Sequence, residues 1–142
     1  MSMDFATMTC GARIENLDEV TGFIEGCADR FDLETKRKFG LLVAIEEAFV
    51  NVCHYAYPAG EGEVALACGA DGDKLVIEVA DRGIEFNILT LPDPDTTASL
   101  MDREIGGLGV FFIRRLTDDL SYRREDGRNI LRMVLHLKET LS

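Results

Sequence analysis

No stretch of the chain approaches the ~18 consecutive apolar residues of a membrane span, and residues 1–9 hold no basic segment followed by an apolar run. The chain is therefore expected to be soluble, unsecreted and cytoplasmic, with no membrane partner. Cysteine occurs at Cys10, Cys27, Cys53 and Cys68 but never as the CxxC pair of a zinc or redox site, so reduced, mostly buried thiols are expected. His54 and His136 are the only histidines, which leaves few ligands for an all-protein transition-metal site. Basic residues are outnumbered: 15 Lys and Arg against 26 Asp and Glu give a net charge of −11. That balance argues against nucleic acid as the main partner, because neutralising its phosphates needs a basic face. Repeats, linkers and low-complexity segments are absent as well.

What remains suits one compact domain over residues 1–142, with 46% hydrophobic content to fill a core. An acidic chain that binds a polyanion has to capture it locally, through backbone N–H groups, a helix N-terminus and a metal ion. A glycine-rich loop opening a helix is the feature such a chain requires.

Residues Met3 to Cys10 alternate weakly, as a first strand would, and Asn16 is a candidate N-cap for an amphipathic helix running to about Arg30. Leu17, Val20, Ile24 and Ala28 form its apolar stripe. A longer helix is predicted from about Glu34 to Tyr57, ended by Pro58 and Gly60. Its apolar residues, Phe39 and Leu41 through Val52 and Cys53, encircle it, which predicts a buried helix. Val64 to Ala70 and Leu75 to Ala80 are predicted strands joined at Asp71-Gly72-Asp73. A long aperiodic connection with Pro92 and Pro94 then leads to Gly106-Gly107-Leu108-Gly109 and an apolar helical run from Val110 to Leu116. Within that run Arg114 and Arg115 are expected to face solvent and pair with Asp118 or Asp119. Asp119 to Arg124 and Ile130 to Leu137, joined at Glu125-Asp126-Gly127, are the last strands. The order predicts one sheet covered by helices on one face, with antiparallel hairpins.

Three constellations carry chemistry. In the long helix Glu46, Glu47, Asn51 and His54 interrupt an apolar sequence, and Glu47, Asn51 and His54 share one side at spacings of four and three. Burying such groups unpartnered costs on the order of a few kcal/mol each. A metal ion with a bound phosphate would compensate: the Asn51 amide oxygen is a hard ligand for Mg²⁺, and Glu47 could accept a proton from an attacking hydroxyl. Pairing within the core is the alternative, and spacing does not choose between Glu46 and Glu47. Second, Asp81-Arg82-Gly83 ends a Val- and Ile-rich strand, where a carboxylate can accept a hydrogen bond from an exocyclic amine such as adenine's and Gly83 lets backbone approach the base; a plain strand-ending turn has the same residues. Third, Gly106 to Gly109 can turn consecutive N–H groups towards an anion at a helix start, although glycine also ends loops for steric reasons.

Taken together, the order and spacing of these three resemble the N, G1 and G2 boxes of the GHKL ATPases, and most closely the anti-sigma factor serine kinases, from about Phe39 to Leu137. Glu47-Ala48-Phe49-Val50-Asn51 followed by Val52-Cys53-His54-Tyr55-Ala56-Tyr57 matches that family's Glu-Ala-x-x-Asn with its His-Ala-Tyr continuation, and so selects Glu47 over Glu46. Tyr55 stands where the family usually has histidine and His54 lies one place earlier, so no catalytic role is given to His54. Asp81-x-Gly83 matches the adenine box, Gly107-x-Gly109 the phosphate box, and Asn129-Ile130-Leu131 the closing strand.

The resemblance implies an α/β (α+β) two-layer sandwich of the GHKL (Bergerat) type, with one mixed, largely antiparallel sheet and helices on one face. It implies ATP and Mg²⁺ as cofactors, with Glu47 as catalytic base, Asn51 holding the metal, Asp81 and Gly83 on adenine, and Gly107, Leu108 and Gly109 on the phosphates. Leu89 to Gly106 would be the ATP lid, with Arg103 its one basic residue. The implied activity is serine or threonine phosphorylation of an anti-anti-sigma antagonist, with a sigma factor as a further partner and a homodimer formed through the first strand and helix. A nucleotide-gated binding module without phosphoryl transfer is the alternative, and a stand-alone histidine-kinase ATPase domain ranks behind it.

Overall fold

The computed structural model describes residues 5–90 and 113–137. Strands β1 (Ala6–Gly11), β2 (Glu63–Asp71), β3 (Lys74–Asp81), β4 (Asp119–Glu125) and β5 (Arg128–His136) form one sheet in the order β1-β2-β3-β5-β4. Every ladder in it is antiparallel. Helices α1 (Leu17–Arg30) and α2 (Thr35–Tyr55) pack on one face, giving the two-layer α+β sandwich expected.

Strand alternation decides what that face buries. Val64, Leu66 and Cys68 of β2, Leu75, Ile77 and Val79 of β3, and Leu131, Met133 and Leu135 of β5 meet Val20 and Ile24 of α1 and Leu41, Ile45 and Phe49 of α2 in one core. Complete burial of a side chain such as Phe49 contributes roughly 1.5–3 kcal/mol. Both hairpin turns rely on left-handed backbone: Gly72 has φ 63°, and Asp126 and Gly127 have φ 53° and 75°, which suits a tight two-residue turn between twisted strands.

Four expectations are corrected here. Asn16 immediately precedes α1, but its side-chain amide donates to the Gly11 carbonyl at 2.9 Å and makes no cap; a 3₁₀ turn over Ile14–Asn16 leads into the helix instead. Helix α2 is not buried all round. Its inward stripe is Gly40, Leu41, Ala44, Ile45, Ala48, Phe49 and Asn51, whereas Phe39 is 70% exposed, because the sheet lies against only one side of the helix. Cys27 and Cys68, expected as free thiols, are joined in a disulfide: packing of α1 on β2 brings their Cα atoms to 6.5 Å, which a sequence separation of 41 conceals. Finally, Arg114 and Arg115 face solvent as expected, but Asp118 pairs with Arg37 of α2 and also accepts the His136 N–H at 2.7 Å, while Arg114 donates to the Leu89 carbonyl. These contacts outweigh partial burial and hold the Asp118 carboxyl below its ordinary range.

Candidate nucleotide site

Among the described residues only three buried side chains are polar or charged: Asn51, Asp81 and Asn129. All three line one cavity, together with Ala48, Val52, Val79, Phe86 and Tyr122. Polar groups in a core need partners, so the way each is satisfied indicates what the cavity can do.

Asn51 reaches the cavity because α2 turns it inward, one turn after Glu47. Its side-chain N–H donates to the Glu47 carbonyl at 2.8 Å, which fixes the amide and directs the other end elsewhere. That other end, Oδ1, is buried and has no hydrogen-bond partner. An orphaned amide oxygen in a cavity wall matches the donor chemistry of a hard divalent cation.

Asp81 ends β3 opposite Asn129 of β5. Its Oδ1 accepts the Gly83 N–H and the Asn129 amide, each at 2.9 Å. Two donors on one oxygen leave the second oxygen as the free acceptor of the pair. Asn129 is itself fully engaged: the amide also donates to the Ile84 carbonyl at 2.7 Å, and Oδ1 accepts from Tyr122 Oη at 2.6 Å, the Phe86 N–H at 3.1 Å and Arg124 at 3.2 Å. Burial pushes the Tyr122 phenol up, as does the nearby Glu85, so it stays a donor.

Gly83 borders a different opening, and the close approach it permits is to α2. A Cβ there would lie 2.2 Å from the Ala56 carbonyl oxygen, which accepts the Ile84 N–H at 2.9 Å. Tyr57 adds a clamp, its hydroxyl donating to the Glu63 carbonyl at 2.6 Å and accepting the Arg82 N–H at 2.8 Å. The end of α2 is thus fastened directly to the turn that carries Asp81.

Glu47 is half-buried and does not line the cavity. Burial, and after it the charge of Glu46, raises its carboxyl above the usual range, so it gains basicity towards a hydroxyl proton. His54 and Tyr55 are exposed, the Tyr55 ring 6.0 Å from Phe86. Arg103, Gly107, Leu108 and Gly109, with nearly all of the lid segment, lie outside the described residues. The cavity itself is tight at about 40 Å³, room for a few waters at roughly 10–15 Å³ each.

The site residue that sequence reasoning passed over is Asn129, with Tyr122 behind it. Asn129 stood in the closing strand as an amide beside Ile130 and Leu131, but its role follows from lying opposite Asp81, a pairing the linear sequence does not display.

Over residues 10–135 the chain matches the family described as histidine kinase-like ATPase domain. It belongs to that family. Serine-protein kinase RsbW of Bacillus mycoides (strain KBAB4) is 29% identical over 128 residues, covering 87% of this chain and 80% of the relative. The protein of the same name from Bacillus cereus (strain Q1) is 28% identical over the same length. Among solved structures, the RsbU and RsbW domains of Rv1364c from Mycobacterium tuberculosis superpose with a TM-score of 0.66 at 16% identity. That match covers 94% of this chain and 32% of the other, and it shows the shared fold.

Proposed function

We propose that this chain is an ATP-dependent serine/threonine protein kinase that phosphorylates an anti-anti-sigma antagonist domain and binds a sigma factor as a second partner. The observation that carries this reading is the buried, unpartnered Asn51 Oδ1 in a cavity shared with Asp81. The names of the RsbW relatives, serine-protein kinases, supply the direction of the chemistry.

Asn51 would hold Mg²⁺, which when bound neutralises phosphate charge during phosphoryl transfer. The chain's own residues do the rest. Asp81, with one oxygen occupied by Gly83 and Asn129, offers the other to the exocyclic amine of adenine. Glu47, raised by burial and by Glu46, takes the proton of the incoming serine hydroxyl. By the family resemblance, the Gly107, Leu108 and Gly109 backbone holds the phosphates and Arg103 reaches them from the lid. A homodimer through β1 and α1 belongs to the same proposal. A cytoplasmic setting fits ATP and an acidic chain whose described helices are too short or too polar to cross a membrane, but the Cys27–Cys68 bond is uncommon there.

One observation favours a second reading: Glu47 does not line the cavity that holds Asn51. A nucleotide-gated module needs Asn51 and Asp81 without Glu47. Incubation with labelled ATP, Mg²⁺ and candidate antagonist domains separates the two. The kinase labels a serine or threonine of its antagonist, whereas ATP binding with no label on any antagonist establishes the module.

A further inference from the structure

The ten arginines among the described residues are almost all engaged. Arg13, Arg37, Arg123 and Arg132 meet carboxylates, Arg124 and Arg114 donate to carbonyls, Arg30 lies over Phe31, and Arg115 has a partner too. Arg82 and Arg128 are the two whose side chains have no salt bridge, hydrogen bond or ring contact. In a chain of net charge −11 a free guanidinium is unusual, and here there are two.

Their positions are related. Arg82 is the first residue past the end of β3 and Arg128 the first residue of β5, so the two flank the last β3–β5 pair, Asp81 and Asn129. Arg128 stands across the β4–β5 hairpin from Glu125, but Glu125 makes its ion pair with Arg123 and leaves the Arg128 guanidinium unmatched. By strand alternation Arg128 shares a face with Ile130 and its partner Ala80, away from α1 and α2. On that face Thr9, Tyr57, Ala65, Ala80, Arg82 and Arg128 line a cavity of about 400 Å³. Glu63 also lines it, yet its carboxylate comes within 4.0 Å of neither guanidinium.

We propose that this cavity is a second ligand site, built by Arg82 and Arg128 for a phosphate group. Two planar guanidinium forks match the double charge and several acceptor oxygens of a phosphate dianion, whereas a lone carboxylate leaves one fork unmatched. The Thr9 hydroxyl is a further donor within the cavity. The Tyr57 hydroxyl is already committed to Glu63 and Arg82, so its ring serves as a wall. The site is separate from the nucleotide cavity, although Asp81 borders both.

The test is a ¹H–¹⁵N titration of the full chain with inorganic phosphate, at ionic strength matched with chloride, reading the arginine Nε–H and backbone amide signals. Saturable shifts are expected at Arg82, Arg128 and Thr9. Arg82→Gln and Arg128→Gln should each weaken phosphate by about tenfold or more. Arg132→Gln, on the same face but paired with Glu78, should leave it unchanged. A parallel titration with glycerol phosphate distinguishes the source: tighter binding assigns the site to a phosphate ester, and equal or weaker binding assigns it to free phosphate. Absence of saturable shifts at Arg82 and Arg128, or equal phosphate affinity in both glutamine variants, overturns the site.

Discussion

Asn129 of β5 donates its side-chain amide to Asp81 of β3 at 2.9 Å, and with two further contacts, to the Ile84 carbonyl and the Phe86 N–H, it holds the 81–86 turn against the sheet. Replacing it with alanine strips Asp81 Oδ1 of one donor and leaves the Phe86 N–H and the Ile84 carbonyl without their partner. Asn129→Ala should therefore lose roughly 1–3 kcal/mol of stability. It should also weaken ATP further than a distant core mutant of equal stability does. Denaturant unfolding together with nucleotide titration checks this, and unchanged ATP affinity would detach Asn129 from the site.

Asp81→Asn tests the adenine contact. An amide can present an N–H where the carboxylate accepts, and loss of a charge-assisted bond costs roughly 1.5–3 kcal/mol, about tenfold or more in affinity. Calorimetry of a folded Asp81→Asn protein that binds ATP as the wild type does would remove adenine from this cavity.

Much of this arrangement could be read from the chain before any coordinates. Both hairpins announced themselves through Asp-Gly and Gly-Asp turns, Asn51 stood out as a polar group in a helix expected to be buried, and Asp81 stood out as a carboxylate at a strand end. What stayed hidden was what depends on cross-strand register and packing. Asn129 gained its role by lying opposite Asp81, Cys27 met Cys68 across α1 and β2, and Gly83 proved to make room for Ala56. The exposure of Phe39 was missed for a related reason: counting apolar residues around a helix does not show which side the sheet covers.

The raised carboxyl of Glu47 carries a stability prediction with a definite sign. Burial and Glu46 penalise its charged form in the folded chain, so the folded value lies above the unfolded one. Any stabilisation linked to that shift is complete below the unfolded value and is lost as pH rises through the folded value. Glu47→Gln, which cannot ionise, should unfold at higher denaturant than wild type at pH 7, with the gap closing as the solution is acidified through the carboxylate range. In the kinase reading the same variant should keep ATP affinity and slow phosphoryl transfer by about a hundredfold or more. Undiminished transfer would take Glu47 out of the mechanism.

The Cys27–Cys68 bond closes a loop with a sequence separation of 41, for which chain entropy gives about 4 kcal/mol. Reductant should lower the unfolding midpoint, and peptide mapping without reductant should recover Cys27 and Cys68 together. The other two thiols should react slowly at neutral pH, since burial, and after it Cys10, pushes Cys53 up to about 11, and burial likewise raises Cys10. A midpoint indifferent to reductant would show that the bond adds no stability.

The central claim is that the orphaned oxygen of Asn51 exists to hold a metal–nucleotide complex. Calorimetric titration of ATP, with and without Mg²⁺, into wild type and Asn51→Ala addresses it most directly. Wild type is expected to bind ATP tightly only with Mg²⁺, and a folded Asn51→Ala protein to lose most of that Mg²⁺-dependent affinity. Equal affinity with and without the metal, or an Asn51→Ala protein that binds Mg²⁺ and ATP like wild type, would contradict it.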